Sequence, residues 1–94
     1  MRFRLSKEAS RELEEAKAYY ESQQEGLGSR FEETLYDYFS KIVDDPFLYP
    51  AVNEYVRRAV VQTFPYLVYY LIDTQSDSIV VVAISHQHRK PKFS

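Results

Sequence analysis

The stretch Tyr66-Leu-Val-Tyr-Tyr-Leu-Ile72 decides the fold of this chain, because it is a strand that is apolar on both faces. Alternate residues of a strand point to opposite sides, and here both alternating sets are aliphatic or aromatic. A second apolar run, Ile79–Ile84, follows after the polar loop Thr74–Ser78. We therefore predict a central strand that pairs antiparallel with its successor, with helices on one face and another layer on the second.

The residues before this hairpin predict two amphipathic helices and two more strands. Residues 3–5 and 56–63 are the strands, and Ser6 can cap the first helix. Ser29 and Glu32 have the form of a capping box at the start of the second helix, which Pro46 ends. Helical spacing gives the predicted core positions, which are Ala9, Leu13, Ala16 and Tyr20 in the first helix and Phe31, Leu35, Tyr38, Phe39 and Ile42 in the second. The same spacing predicts the surface ion pairs Arg11–Glu15 and Glu14–Lys17 in the first helix.

This order of elements predicts one α+β domain over residues 1–94, with an antiparallel helical hairpin packed on a twisted, mainly antiparallel sheet. The chain has no cysteine, which favours a reducing compartment such as the cytoplasm. Its longest apolar run, Phe64–Ile72, is only nine residues, against about 18 for a membrane helix. A cytoplasmic protein with no membrane partner is the expectation.

Charge is distributed unevenly along the chain. Residues 1–50 carry seven Lys/Arg against eleven Asp/Glu, whereas residues 51–94 carry five against three. Five basic residues are few for a nucleic-acid footprint, which usually shows a dense basic stripe. The asymmetry gives weak support to an anionic partner near the C-terminal strands.

Motifs along almost the whole chain occur in an order that resembles the RelE/ParE family of bacterial toxins from type II toxin–antitoxin modules. The matching motifs are Tyr19-Tyr20, Glu25-Gly-Leu-Gly28, Phe31, Pro46 with Tyr49-Pro50, Arg57-Arg58, Phe64-Pro65-Tyr66 with Tyr69-Tyr70, and His86 followed by Arg89 and Pro91. The resemblance implies a growth-inhibiting toxin, as in plasmid stabilisation systems, that a cognate antitoxin encoded beside it neutralises by direct binding. It implies either DNA gyrase as the target (ParE-like) or ribosome-dependent mRNA cleavage (RelE-like).

A RelE-like nuclease needs a base, an acid, and positive charge on the phosphorane that forms when RNA is cut through its own 2′-hydroxyl. Carried over by position, Arg57 and Arg89 match basic sites of the family. His86 or His88 could supply the acid or base. These four residues are the catalytic candidates if the protein is an enzyme.

Half of the implied nuclease set is missing. Tyr66 stands where the RelE-like pattern has an arginine, and Ala59 stands where it has a second basic residue. Phe93 is the residue near the position of a terminal tyrosine. The missing groups include transition-state charge, so the pattern favours inhibition of gyrase through protein contact. A nuclease, or a non-toxic remnant that only binds antitoxin, remains the alternative.

The same residues also have structural interpretations besides the catalytic ones. Arg57 and Arg58 point to opposite faces of a strand, so at most one serves a given site, and a structural pairing of the other with a helix carboxylate is expected. Tyr66, Tyr69, Tyr70 and Arg58 are the candidate partner-binding residues, since tyrosine suits interfaces.

The C-terminal histidines do not predict a metal site. His86 and His88 lack a third ligand nearby in the sequence, so no metal is expected, and no cofactor or small-molecule substrate is expected either. Ser85 and His86 face opposite ways in a strand, which excludes a serine-hydrolase pair. The doublets Glu14-Glu15, Glu32-Glu33 and Asp44-Asp45 are interpreted as solvated helix surface.

Overall fold

Two helices and four strands follow one another in the predicted order. The computed structural model describes residues 1–88, so Arg89 and Phe93 lie outside the described residues. The elements are β1 (Arg2–Leu5), α1 (Lys7–Gln23), α2 (Leu27–Asp44), β2 (Val56–Val60), β3 (Tyr66–Asp73) and β4 (Ser78–His86). Within this part of the chain, neither helix combines the length and apolarity needed to cross a membrane.

The four strands form one mixed sheet in the order β1-β4-β3-β2. β3 pairs antiparallel with both β2 and β4, as its doubly apolar sequence predicted. β1 pairs parallel with β4 and lies at one edge of the sheet. The predicted α+β fold, with a helical hairpin packed on a mainly antiparallel sheet, is confirmed.

The apolar residues divide between the two faces of β3 as predicted. Tyr66, Val68 and Tyr70 belong to the main core with the buried side chains of α1 and α2. Tyr69 lies on the opposite face in a smaller cluster with Val56 and Ala83. Most predicted helical core residues are buried, whereas Tyr20 and Tyr38 are half-buried at the margin.

The start of α2 differs from the prediction. Ser6 caps α1 as expected, accepting the Ala9 N–H at 3.0 Å. α2, however, begins at Leu27 behind Gly26, so Ser29 lies inside the helix and makes no capping box. A carboxylate from α1 replaces it, because Glu21 accepts the N–H groups of Gly26 at 2.9 Å and Gly28 at 3.0 Å. A capping box was predicted because local spacing cannot reveal a cap supplied by another helix.

One cross-helix ion pair also replaces a predicted local pair. Arg11 and Glu15 are bonded at 2.6 Å within α1, as expected. Lys17 was expected to pair with Glu14 but instead contacts Glu32 of α2 at 3.1 Å. The pair therefore links the two helices near the point where they cross closely.

That close crossing predicts the effect of Gly28→Ala. A Cβ atom on Gly28 would lie 2.6 Å from the backbone oxygen of Lys17 and 2.9 Å from Glu21 Oε1. The helices would have to move apart, so we expect the free energy of unfolding to fall by about 2 kcal/mol. Urea denaturation measures this, and Ser29→Ala, next to it on an exposed position, is the matched control. A Gly28→Ala variant as stable as Ser29→Ala would contradict the steric account.

Candidate functional site

An irregularity in β4 shapes the end of the sheet where the candidate histidine lies. Tyr69 pairs with Ala83 but Tyr70 pairs with Val81, so Val82 is an extra residue on β4. Such a bulge bends the strand and resets which side chains face each layer. Ile84 consequently belongs to the core under the helices, two residues before His86.

Glu12 of α1 holds this bulged segment. β1 pairs with β4 only as far as Val81, so the outer edge of β4 beyond that point has no strand partner among the described residues. Glu12 Oε1 accepts the Ile84 N–H at 2.8 Å, and the residue is only 8% exposed. The carboxylate thus supplies the acceptor that a neighbouring strand would otherwise provide.

Glu12 was not predicted from the sequence, because a glutamate on an amphipathic helix is usually exposed to solvent. Its position carried a signal, since it lies three residues after Ala9 and four before Ala16, on the buried stripe of α1. A charged residue on an apolar stripe indicates a buried hydrogen-bond partner.

His86 lies at the end of β4 in a cavity of about 540 Å³ between α1 and the sheet. Its ring meets Tyr66 edge-on with centroids 5.3 Å apart, and Tyr20 and Glu15 also line the cavity. The His88 N–H donates to His86 Nδ1 at 3.2 Å. Here the structure brings two sequence-predicted residues, Tyr66 and His86, together.

Arg57 lies elsewhere and has a structural role. Its guanidinium donates to the backbone oxygen of Tyr49 at 2.7 Å and stacks 5.0 Å from the Phe47 ring centroid. A helix carboxylate was the expected partner of whichever of Arg57 and Arg58 served no site, but Arg57 contacts a backbone carbonyl of the loop after α2. The Tyr70 hydroxyl donates to Pro46 O of the same loop at 2.6 Å. Burial raises the pKa of Tyr70, while the charge of Arg57 works in the opposite direction.

Of the described catalytic candidates, His86 and His88 lie together with ring centroids 5.2 Å apart, but Arg57 does not join them. Arg57 pairs with Tyr70, whereas His86 pairs with Tyr66, four residues away along β3. At about 3.3 Å per residue this is roughly 13 Å along the strand direction, and the two residues also lie on strands on opposite sides of β3. Ala59 lies between them, fully buried. Arg57 is therefore not placed to stabilise a phosphorane beside His86.

The face of the sheet without helices carries Arg58, opposite to Arg57 as predicted. Arg58 Nε and Ser85 Oγ are buried there without a hydrogen-bond partner in the part of the chain that the structure describes.

Of the candidate partner-binding tyrosines, Tyr69 and Tyr70 are 0% exposed and Tyr66 is 7% exposed. A partner could reach these rings only if their present cover moved, so their interface role stays a prediction.

Exposed apolar side chains are instead concentrated on the loop between α2 and β2. Phe47, Leu48 and Tyr55 are 65%, 60% and 72% exposed. Arg57 stacks under Phe47 and the Asn53 side chain accepts the Tyr55 N–H at 2.9 Å, so the loop has a defined shape. Clustered exposed apolar side chains of this kind are typical of protein interaction sites. The sequence signal for this exposed loop was the aromatic-rich stretch 47–55, for which no interaction site was predicted.

Metal-ligating groups do not assemble in residues 1–88. No group of three or more histidine, cysteine or acidic side chains in that range could hold a metal ion. The acidic doublets lie on helix surfaces, where most of their members are exposed. The described residues thus provide an ordered loop with exposed apolar side chains and an aromatic cavity lined by His86.

Comparison with known proteins identifies the family and agrees with the fold. The sequence model of the family described as "ParE toxin of type II toxin-antitoxin system, parDE" matches residues 3–91. No curated protein matches the sequence significantly. The solved structure of the "Chromosomal ParDE TA system from P. aeruginosa" contains a chain of the same fold, with 12% identity and a TM-score of 0.65, covering 92% of this chain and 95% of that one. Because the family model spans nearly the whole sequence, this chain belongs to the ParE toxin family of type II toxin–antitoxin systems.

Proposed function

We propose that this ParE-type toxin inhibits DNA gyrase by direct protein contact and that a cognate antitoxin neutralises it. The observation that carries the first part is the separation of Arg57 from His86 by roughly 13 Å along the sheet, with Arg57 engaged by Tyr49 and Phe47. Cleavage of RNA needs positive charge and acid–base groups around one phosphate. Among the described residues, Arg57 supplies positive charge and His86 supplies an acid–base group, but the two lie at different places on the sheet.

Surface properties also support protein contact. Phe47, Leu48 and Tyr55 expose large apolar area on one ordered loop, which is costly for a protein without a partner. Arg57 and Tyr70 hold that loop against the sheet. In this proposal the arginine acts as a positioning residue for the loop, and its loss should weaken gyrase binding in a graded way.

One observation favours ribosome-dependent mRNA cleavage as the second candidate. His86, Tyr66 and Glu15 line the same cavity and include groups that can exchange protons. Arg89, the remaining basic candidate, lies outside the described residues. A nuclease built on this cavity would lose activity in His86→Ala, whereas contact with gyrase would depend on the loop.

Paired assays with the purified protein test the proposal. We expect no cleavage of ribosome-bound mRNA in a translation reaction, and micromolar or tighter binding to the gyrase holoenzyme in sedimentation experiments. Phe47→Ala should weaken gyrase binding about tenfold or more, because a central aromatic contact is typically worth that much. Tyr19→Ala, another exposed aromatic, is the matched control. Cleavage of mRNA that His86→Ala abolishes would establish the nuclease instead. Absence of both activities, with antitoxin binding intact, would indicate a non-toxic remnant.

A further inference from the structure

A cavity of about 490 Å³ opens beside the exposed loop between α2 and β2. The loop and the start of β2 line one side of it, and the end of β3 with the turn that follows lines the other. Phe47 and Tyr55 stand on the loop side, and both side chains are mostly exposed. Glu54 and Asp73 bring carboxylates to the same cavity. Aromatic surface and negative charge are therefore available together, next to the apolar side chains of the loop.

The two carboxylates differ in how firmly they are held. Asp73 Oδ2 accepts the Ser76 hydroxyl at 2.8 Å, and Asp73 Oδ1 accepts the Gln75 N–H at 3.1 Å. The hydrogen bonds from Ser76 are the main cause of the lowered pKa of Asp73, so this carboxylate is ionised and fixed at neutral pH. Glu54 is exposed and takes part in no ion pair within the described part of the chain. Its carboxylate is available to a cation from outside.

The arginine that lines the cavity is engaged by the loop. Arg57 donates to the backbone oxygen of Tyr49 at 2.7 Å and stacks 5.0 Å from the Phe47 ring centroid. Among the described residues, the cavity therefore has the two negative charges of Glu54 and Asp73 against the one positive charge of Arg57, an excess of one negative charge. A phosphate or carboxylate would be repelled here, whereas a cation would meet complementary charge.

We propose that this cavity receives a basic side chain of the protein partner that the loop contacts. The incoming cation would pair with Glu54 and lie against the exposed Tyr55 ring, while Asp73 adds negative charge. A guanidinium fits especially well, because its planar group combines paired hydrogen bonds to a carboxylate with stacking on an aromatic ring. This inference rests on the proposed contact with gyrase, and it names the chemistry by which the loop would recognise that partner.

Binding of the gyrase holoenzyme to charge variants of the whole chain tests this inference. Glu54→Gln keeps the shape of the side chain and should raise the dissociation constant about tenfold, because it removes one partner of an ion pair at the interface. Glu54→Lys should raise the constant about a hundredfold or more, because it places two like charges together. Glu33→Gln, at an exposed position of α2, makes the same change in net charge and should alter the constant less than twofold. Circular dichroism should show intact folds, since both positions are exposed.

Salt dependence gives a second measure of the same contact. Raising the salt concentration from about 50 to about 300 mM should weaken binding of the wild-type chain more than binding of Glu54→Gln, which lacks the ion pair that salt screens. Equal effects of Glu54→Gln and Glu33→Gln on the dissociation constant would overturn the pocket for a basic side chain, while the contact with gyrase would stand. Failure of the wild-type chain to bind gyrase would overturn both the proposed contact and this inference.

Discussion

Phe31→Ala is expected to lower the free energy of unfolding by about 3–5 kcal/mol, the usual loss for a fully buried phenylalanine. The Phe31 side chain is 0% exposed and lies at the centre of an aromatic cluster between the helices and the sheet. Its ring centroid is 5.1 Å from those of Tyr20, Phe64 and Tyr66. Removing it would leave a cavity that three rigid rings cannot readily fill.

Urea denaturation followed by circular dichroism measures this loss. Tyr19→Ala, an aromatic truncation at a position 57% exposed, should lower stability by no more than about 1.5 kcal/mol, because it loses only the edge contact with Tyr20. Tyr66 also contacts His86, so the cluster supports one wall of the cavity. A Phe31→Ala protein within about 1 kcal/mol of the wild type would mean that the cluster repacks and is not the centre of the core.

Glu12→Ala is expected to cost about 3 kcal/mol of unfolding free energy. The substitution removes the acceptor of the Ile84 N–H, and a buried amide without a partner costs about 1–3 kcal/mol. It also removes buried methylene groups and so adds a void term. Glu12→Gln retains an oxygen acceptor in nearly the same shape and should stay within about 1 kcal/mol of the wild type.

The two Glu12 variants separate the hydrogen bond from the charge. Thermal or urea unfolding of both, at the same pH, gives the comparison. Amide exchange at Ile84 should accelerate in Glu12→Ala and remain slow in Glu12→Gln. Equal destabilisation by alanine and glutamine would show that the negative charge, and not the acceptor for Ile84, stabilises the bulged end of β4.

The fold was accessible from the sequence because its signals are local and repeated. The doubly apolar stretch 66–72 required a central strand, and it pairs with strands on both sides. Ser6 and Pro46 marked the outer ends of the helical hairpin. These features follow from periodicity and backbone geometry, which each short segment carries by itself.

Features that depend on contacts between distant residues were not accessible. The cap of α2 comes from Glu21 on the previous helix, and the acceptor for Ile84 comes from Glu12, 72 residues away. The parallel pairing that exposes the β1 edge likewise follows from the position of β1 against β4. These contacts cannot be predicted from the spacing of residues along the chain.

The candidate site was predicted only in part for the same reason. Tyr66 and His86 were named separately, and the structure brings them into ring contact. Arg57 was named with His86, but the register of β2 on β3 places it beside Tyr70. The exposure of Phe47 and Leu48 depends on how the loop after α2 folds back, which an aromatic-rich sequence does not reveal.

A supercoiling assay measures the proposed inhibition of DNA gyrase by this chain. Relaxed plasmid, DNA gyrase and ATP are incubated with increasing concentrations of the purified chain, with and without equimolar product of the adjoining small open reading frame. Dose-dependent loss of supercoiling, relieved by that product and weakened about tenfold in Phe47→Ala, is the predicted result. Undiminished supercoiling at a concentration of the chain that arrests translation through mRNA cleavage would instead identify the toxin as a nuclease that does not inhibit gyrase.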